Sequence, residues 1–351
     1  MRVCLYLEAP DWVSKSGIKR AYDHHLKAIE AAGIEVVSDP ETDNYDLLHL
    51  HFFGPKSLLY ANRAKKAGRK VVVHAHSIGA HDFQNSFTLV NPISPLYEMY
   101  LHFFYRQSDC IFTCSEFAKA QLDAIDLGRP VAVVNNGIDR ERFKFDGQQR
   151  GRAREQFGLQ RFTVFCGGNL IPRKGVKDFI EVARALPEFD FIWYGQLWSK
   201  LFTFYPAMHR AIERRPANVQ FPGFVNDVVS AFCAGDAFFF PSYTENQPMV
   251  LLEVASLGKP LVVRDIPEYQ GWLTHGLNCF KADSAENFAR LLHRIATDSA
   301  LYSKLSEGAE QLAAAHSLTH VGRRLRTLYE QVLSGTLGVA KDSSLLTDSK
   351  R

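Results

Sequence analysis

The stretch of sequence that decides the fold is residues 237–263, AFFFPSYTENQPMVLLEVASLGKPLVV. The apolar runs Ala237–Phe240 and Leu261–Val263 each predict a buried strand. Between them, Met249–Leu257 is apolar at helical spacing, and Pro248 suits the first helical position because a missing N–H needs no partner there. A strand, a helix and a second strand in this order form the repeating unit of a parallel sheet.

The same alternation extends from this stretch toward both ends of the chain. A first series contains the predicted strands Val3–Leu7, Glu35–Val37, Leu47–His51, Val71–His74, Cys110–Thr113 and Val131–Val134 and the predicted helices Ile18–Ala31, Ser57–Ala67 and Leu96–Arg106. A second series adds the predicted strands Thr163–Cys166, Asp190–Tyr194 and Val219–Phe221 and the predicted helix Val176–Ala185. Each series predicts an α/β domain with a doubly wound parallel sheet.

A polar break at Asp146–Arg152 separates the two series and predicts the linker. We therefore predict an N-terminal domain over residues 1–150 and a C-terminal domain over residues 151–318. Residues 319–335 predict a helix that packs back on the N-terminal domain, and residues 336–351 predict a flexible tail. Because open parallel sheets bind ligands beyond the carboxyl ends of their strands, we expect a ligand cleft where the two sheets face each other.

Composition narrows the class of protein. The 351 residues exceed one ordinary domain, and 46% hydrophobic with 23% charged residues is typical of a globular protein. A net charge of +3 is too small to favour nucleic acid as a partner. The six cysteines are scattered without paired spacing and predict buried thiols in a reducing compartment. With neither a signal peptide nor an apolar run near 20 residues, we predict a soluble or peripheral cytoplasmic protein.

Two glutamates carry the strongest functional signal, Glu245 and Glu253, with seven residues between them. A helix beginning at Pro248 leaves the N–H groups of Met249 and Val250 free, and such a helix start is an anion site suited to a diphosphate. Glu253 can accept hydrogen bonds from ribose hydroxyls, and Glu245 can face the sugar. One acidic residue near a helix start is explained by the helix dipole alone. Two at this spacing, after a buried strand, favour ligand binding.

A second signal is residues 167–178, GGNLIPRKGVKD, which follow a predicted strand and open a helix. Arg173 and Lys174 would each give a diphosphate charge-assisted hydrogen bonds of about 1.5–3 kcal/mol and would stabilise the leaving nucleotide. No metal is needed for this. The alternative is a basic surface turn, since the segment matches neither common phosphate-loop motif. Coupling to the two glutamates favours the binding interpretation.

These stretches, together with residues 135–143 (NNGIDRERF), 221–227 (FPGFVND) and 278–280 (NCF), resemble retaining glycosyltransferases of family 4 over nearly the whole chain. The resemblance implies the GT-B fold, with two Rossmann-like domains facing across a cleft, and metal-independent transfer. It implies that Arg173 and Lys174 bind the donor diphosphate, Glu245 the sugar and Glu253 the ribose, with the backbone near Phe224 at the base. The other substrate-binding residues predicted in this half are Gly168, Asn246, Gln247, Pro248, Met249 and Val250.

The N-terminal half resembles bacterial diacylglycerol glucosyltransferases more narrowly. The resemblance rests on residues 74–77 (HAHS), 82–87 (DFQNSF), 16–18 (SGI) and 264–269 (RDIPEY). It implies that His76 contacts the donor sugar and that Ser16 and Gly17 approach the donor phosphate. The wider family has a glycine-rich loop there, whereas this chain offers only Gly17. The alternative for His76 is a hydrogen-bonded histidine at a strand end.

The resemblance also implies a UDP-hexose donor, most simply UDP-glucose, and a 1,2-diacylglycerol acceptor. Retention with no evident nucleophile favours same-face attack, in which a phosphate oxygen takes the acceptor proton. A lipid acceptor requires docking on the inner face of the cell membrane. Residues 59–70 are basic and amphipathic and residues 96–106 are rich in aromatic side chains, although a solvated face and a core helix explain them equally. Residues 197–205 are a further, unassigned candidate.

Three other functions share parts of this pattern. A glycosyltransferase acting on a soluble saccharide or polysaccharide would have the same donor residues. A phosphorylase-like enzyme would have the same architecture, but the chain lacks a recognisable lysine context for pyridoxal phosphate. A non-catalytic nucleotide-sugar-binding subunit would not need the complete set of Arg173, Lys174, Glu245 and Glu253.

Overall fold

The computed structural model describes residues 1–11, 17–42, 44–79, 94–197 and 205–337. They form two compact units. Among the described residues, the first unit contains 1–78, 96–137 and 318–337, and the second contains 138–317 together with 79, 94 and 95. Each unit is built on one six-stranded, wholly parallel sheet.

The first unit has its strands in the order β2-β1-β3-β4-β5-β6. These strands are β1 Arg2–Tyr6, β2 Glu35–Val37, β3 Leu47–Leu50, β4 Lys70–Ala75, β5 Cys110–Thr113 and β6 Val131–Val133. The helices before the second unit begins are α1 Gly17–Ala31, α2 Pro55–Lys66, α3 Ser94–Tyr105 and α4 Glu116–Ile125, with a short 3-10 helix at Pro40–Thr42. The chain order reverses between β1 and β3, which is where ligands of such sheets usually bind.

The second unit repeats this plan with the order β12-β11-β10-β7-β8-β9. Its strands are β7 Thr163–Gly167, β8 Asp190–Tyr194, β9 Val219–Gly223, β10 Ala237–Phe240, β11 Leu261–Arg264 and β12 Phe280–Ala282. Its helices are α5 Gly147–Gln156, α6 Val176–Ala185, α7 Pro206–Glu213, α8 Val228–Ala234, α9 Met249–Ser256, α10 Ala285–Thr297 and α11 Ser299–Ala315, with 3-10 helices at Pro172–Lys174 and Pro267–Tyr269. The chain order of the strands reverses between β7 and β10. We call this place the reversal point of the unit, and the corresponding place between β1 and β3 is the reversal point of the first unit.

The core of the second unit explains why its central strands are apolar at every position. Phe238 packs with Phe165, while Phe239 packs with Phe179 and Phe288. Successive side chains of a strand point to opposite faces, so both faces of β10 are covered. A parallel sheet covered on both faces requires this continuous apolar run.

The structure corrects the predicted domain boundary. The polar segment at residues 146–152 is the start of α5 rather than a linker, because the Asp146 side chain accepts hydrogen bonds from the backbone N–H groups of Gln148 and Gln149. Arg150 then binds Asp236, with 2.7 Å between Nη2 and Oδ1. This helix therefore belongs to the second unit, and the boundary falls between Gly137 and Ile138 instead of at residue 150.

The last helix, α12 Leu318–Ser334, belongs to the first unit. Gly322 allows a close approach to α1, because a Cβ atom there would lie 2.1 Å from the backbone oxygen of Ala28. Leu325 and Tyr329 are fully buried against the sheet of this unit. Of the tail predicted at residues 336–351, all but the first two residues lie outside the described part of the chain. No described helix is long and apolar enough to cross a membrane.

Candidate active site

The candidate site lies at the reversal point of the second unit. Two loops meet there, the one after β7 and the one after β10, because these strands are parallel neighbours. Gly175 has a φ of 76°, and a Cβ atom there would lie 2.4 Å from the carbonyl oxygen of Pro241. The Tyr243 N–H donates to the backbone oxygen of Arg173 at 2.8 Å. The glycine therefore permits a close contact that holds the two loops together.

This contact brings two cations onto one carboxylate. Lys174 donates from Nζ to Oε1 of Glu245, and Arg173 places Nη1 3.4 Å from the same oxygen. The Ser242 hydroxyl also donates to Glu245 Oε1, at 2.6 Å. The side chain of Glu245 is only 7% exposed and that of Lys174 13%. The sequence prediction that Arg173 and Lys174 lie close to Glu245 therefore agrees with the geometry.

Burial and pairing act against each other on the charges of this site. Burial is the largest influence on the Glu245 carboxyl and alone would raise its pKa, but Lys174, Arg173 and the Ser242 hydroxyl together hold that pKa below its ordinary value. Burial lowers the pKa of Lys174, and Glu245 opposes this. Because three donors surround one oxygen, Glu245 is held in its ionised form.

Two residues that the sequence reasoning missed support the carboxylate. Ser242 is one, and Glu268 is the other: Glu268 accepts a 2.8 Å hydrogen bond from the Thr244 hydroxyl. Arg173 binds the backbone oxygen of Thr244 at 2.9 Å, so Glu268 and Arg173 fix the loop directly before Glu245. Glu268 lies within the RDIPEY segment of residues 264–269. The proline that begins the 3-10 turn of this segment was the sequence signal that could have pointed to Glu268.

A second group of side chains anchors the same loop from its exposed side. The Tyr243 hydroxyl donates to Asp178 Oδ2 at 2.8 Å, and Arg264 lies 3.1 Å from Asp178 Oδ1. The Arg264 guanidinium lies 4.0 Å from the centre of the Tyr243 ring. Asp178 is on α6 and Arg264 ends β11, so three elements position the loop that carries Glu245.

The helix that follows the loop begins at Met249, as in the predicted helix Met249–Leu257. Pro248 has extended geometry, with φ −70° and ψ 121°, and precedes α9 instead of being its first residue. The Leu251 N–H donates to the backbone oxygen of Pro248 at the start of the helix. The N–H groups of Met249 and Val250 therefore precede the hydrogen bonds of the helix. Glu253, within α9, is 1% exposed. The predicted anion-binding character of this helix start stays a prediction.

Other predicted binding residues also follow strands of this sheet. Gly168 follows β7 with a φ of 133° and open space where a Cβ would be. Its N–H donates to Tyr194 and its carbonyl accepts from the indole of Trp193. Phe224 follows β9 and is 47% exposed. In the loop before α9, Asn246 is half-buried and Gln247 is buried.

Of the site residues predicted in the first unit, the structure describes His76 and Gly17. His76 follows β4, and its Nε2 lies 3.0 Å from Nδ1 of His51. Burial lowers the pKa of His76 to about 3, so its imidazole is neutral. Gly17 is the exposed first residue of α1, whereas Ser16 and residues 82–87 lie outside the described residues, as does most of the segment 197–205. The predicted contact of His76 with a donor sugar remains a prediction.

Comparisons with known proteins identify this type of fold and site. Residues 147–312 match the family described as Glycosyl transferases group 1, and residues 17–142 match Glycosyltransferase Family 4. The processive diacylglycerol alpha-glucosyltransferase of Acholeplasma laidlawii is 34% identical over 95% of this chain and 99% of its own length. The alpha-galactosylglucosyldiacylglycerol synthase of Streptococcus pneumoniae is 25% identical over 93% of this chain and 88% of its own.

A solved structure supports the fold independently. HepE of Anabaena, crystallised in complex with UDP, superposes with a TM-score of 0.75 at 18% identity, over 94% of this chain and 100% of that one. Two Rossmann-like units and these matches define a glycosyltransferase with the GT-B fold, as the sequence predicted. The chain belongs to glycosyltransferase family 4.

Proposed function

We propose that this glycosyltransferase moves a hexose, most simply glucose, from a UDP-sugar to 1,2-diacylglycerol with retention of the anomeric configuration. The observation that carries the proposal is the convergence of Arg173, Lys174 and Glu245 at the reversal point of a parallel sheet. The choice of sugar and acceptor is supported by the Acholeplasma laidlawii relative, which is a diacylglycerol alpha-glucosyltransferase, and the choice of nucleotide by the UDP complex of HepE.

The roles of the charged residues follow from their chemistry. A lysine ammonium has three donor hydrogens, so Lys174 can hold Glu245 and still donate to a diphosphate. Arg173 and Lys174 then stabilise the negative charge that develops on the departing UDP. Two cations suffice for that charge, so we propose that transfer needs no metal ion at the diphosphate and no cofactor.

The state of Glu245 favours same-face attack over a covalent intermediate. Its Oε1 already accepts hydrogen bonds from Lys174 and Ser242. A carboxylate oxygen engaged in this way is a poor nucleophile and a good positioning group for the sugar. In the proposed step the bond from the anomeric carbon to the phosphate oxygen breaks, and the acceptor oxygen bonds to that carbon from the same face. The acceptor proton passes to the departing phosphate oxygen.

The first unit presents a surface suited to a lipid bilayer. On α3, Leu96 and Met99 are each 64% exposed and Phe103 is 51% exposed. Their spacing of three and four residues places them on one face of the helix. The last turn of α2 is basic, and its Lys65 donates to the backbone oxygen of Gln107 just after α3. An apolar helix face beside basic side chains is the pattern of a peripheral membrane surface.

We therefore propose that the protein acts at the inner face of the cell membrane, where diacylglycerol is its acceptor. The exposed row on α3 supports lipid contact over the core-helix alternative for residues 96–106. The α2 helix ends at Lys66, before the last four residues of the amphipathic segment predicted at 59–70.

The test combines donor and acceptor in one assay. Purified protein is incubated with labelled UDP-glucose or UDP-galactose and with anionic liposomes containing diacylglycerol, without added metal. We expect a labelled lipid product with the α configuration. A product that forms only on soluble saccharides would refute the lipid acceptor, and UDP binding without transfer or hydrolysis would instead support a non-catalytic subunit.

A paired variant tests the membrane surface separately. Replacing Met99 and Phe103 by Ser is expected to reduce sedimentation with anionic liposomes about tenfold, because two exposed apolar side chains no longer enter the lipid. The control is Leu277→Ser, which changes a side chain of similar exposure in the second unit. Equal loss in both variants, or no loss in either, would contradict docking through α3.

A further inference from the structure

A cluster of five histidines lies at the reversal point of the first unit. His25 is on α1, His49 and His74 are on the neighbouring strands β3 and β4, and His51 and His76 follow these strands. His25, His49, His51 and His74 are all at most 2% exposed. Of these five histidines only His76 has a predicted role in transfer, a contact with the donor sugar, so the other four need a separate explanation.

Three of these rings converge closely. The ring centres of His25 and His74 are 4.7 Å apart, those of His51 and His74 4.9 Å, and those of His25 and His51 5.3 Å. One ring nitrogen from each of the three lies within 4.8 Å of the other two. Nitrogen ligands at about 2.0–2.1 Å from a tetrahedral zinc ion are roughly 3.4 Å apart. The nitrogens would therefore have to move closer by up to about 1.4 Å when the ion binds, and the stacked rings of His51 and His74, with 13° between their planes, would have to turn.

Hydrogen bonds account for only some of the ring nitrogens of the buried histidines. His24 binds the backbone oxygen of Gly137 at 2.6 Å, and His49 binds the Tyr329 hydroxyl at 2.7 Å. Within the described ranges, Nε2 of His49, Nε2 of His51 and both ring nitrogens of His74 are buried without a hydrogen-bond partner. A buried polar atom without a partner is unfavourable, and the usual explanation in a native protein is a water or an ion at that place.

The protonation state also suits a metal. Burial lowers the pKa of His25 to about 4, and it lowers the pKa values of His51 and His74 well below the ordinary value. Other histidines of the cluster lower the pKa values of His51 and His74 further. The imidazoles are therefore neutral, which is the form that binds a metal ion.

We propose that His25, His51 and His74 together bind one divalent transition-metal ion of the zinc class. Imidazole nitrogen suits zinc, and three histidines leave a fourth position for water or a further ligand. His51 uses Nε2 for the ion, because its Nδ1 already lies 3.0 Å from Nε2 of His76. A hydrogen bond on the second ring nitrogen is the usual way in which a metal-binding histidine is oriented.

The ion would join three elements of the first unit, since His25 comes from α1, His51 from the end of β3 and His74 from β4. Its expected effect is on the stability of this unit. The site is built wholly from residues of the first unit, and its proposal does not depend on the proposed function. It therefore leaves the expectation of metal-independent transfer unchanged.

The first experiment uses the full chain expressed without a polyhistidine tag. Protein dialysed against a chelator is titrated with Co²⁺, and a parallel sample with Zn²⁺. We expect visible absorption bands of cobalt that saturate at about one ion per chain, and a rise in the unfolding temperature of at least about 5 °C with zinc. Metal-free protein that gives no saturable cobalt spectrum would overturn the proposal without any variant being needed.

The second experiment locates the ion. His51→Gln and His74→Gln are each expected to retain less than about a tenth of the zinc bound by the unchanged protein. The matched control is His320→Gln, on the exposed side of α12 in the same unit, which should bind zinc normally. Far-UV circular dichroism checks that the variants fold. Equal zinc binding in the control and in both folded variants would also overturn the proposal.

Discussion

The two units place different chemistry at the same point of the same topology. In the second unit, Lys174, Arg173 and Glu245 form a buried group of full charges. In the first unit, the corresponding edge holds neutral imidazoles such as His51 and His74. The comparison teaches that a parallel sheet decides where side chains converge, whereas the residue types decide whether the place suits an anion or a metal ion.

The largest effect should come from removing one charge of the second unit. Lys174→Met is expected to lower the turnover number about 1,000-fold, because the departing diphosphate loses a charged donor. Lys177→Met, three residues along on the exposed side of α6, is the control and should retain normal turnover. Turnover of Lys174→Met within about twofold of the unchanged enzyme would show that the charge group is structural only.

The next effect is on stability and tests whether the charges depend on one another. Glu245→Gln leaves two cations near each other without their counter-charge and is expected to reduce the free energy of unfolding by about 3 kcal/mol. Adding Lys174→Met should recover part of that loss, which a double-mutant cycle from denaturant unfolding would measure. Strictly additive losses would mean that the two side chains do not interact, and Glu181→Gln on the exposed face of α6 is the control.

The same pair predicts how stability changes with pH. The pKa of Glu245 is lowered in the folded protein, although burial, the largest influence, acts in the opposite direction. The carboxylate therefore stabilises the fold above its unfolded pKa of about 4.5, and this contribution is lost as the pH falls through the lower folded value. The difference in unfolding free energy between the unchanged protein and Glu245→Gln should shrink in that range. A constant difference would disprove the ion pair.

The smallest effect is expected in the histidine cluster of the first unit, where the polar contacts join neutral groups. Tyr329→Phe removes the 2.7 Å contact with Nδ1 of His49 and should cost only about 1 kcal/mol of unfolding free energy. The Phe ring keeps the apolar contacts that Tyr329 makes with Phe112. A loss as large as that of Glu245→Gln would mean that the histidine cluster is held as tightly as the charged site.

The fold was predictable where a strand is buried on both faces or a helix is strongly periodic. The predicted bounds agree with the structure for three strands, Cys110–Thr113, Asp190–Tyr194 and Ala237–Phe240. A continuous apolar run is stable only as a strand that a parallel sheet buries on both faces. Among the described helices and strands, five were missed: α4, α5, which was predicted as a linker, α7, α8 and the three-residue strand β12. They are short, and tertiary packing rather than local pattern decides them.

The site was predictable for residues whose position along the chain carries information. Arg173, Lys174 and Glu245 each follow a predicted strand, so their convergence could be inferred before any coordinates. Ser242 and Glu268 could not be found in this way, since their roles depend on hydrogen bonds that only the folded loops bring into reach. One histidine of the cluster, His25, comes from α1. No local sequence pattern predicts that this helix places it beside the histidines of β3 and β4.

The placement of α12 has a consequence for the order in which the protein is made. A ribosome completes residues 138–317 before it synthesises Leu318–Ser334, so the second unit can fold while the first still lacks its last helix. Until then the core that contains Val3 and Leu5 of the first strand lacks the side chains that α12 contributes to it. A messenger truncated after codon 317 would thus yield a first unit with an exposed apolar face, a natural target for chaperones and proteases.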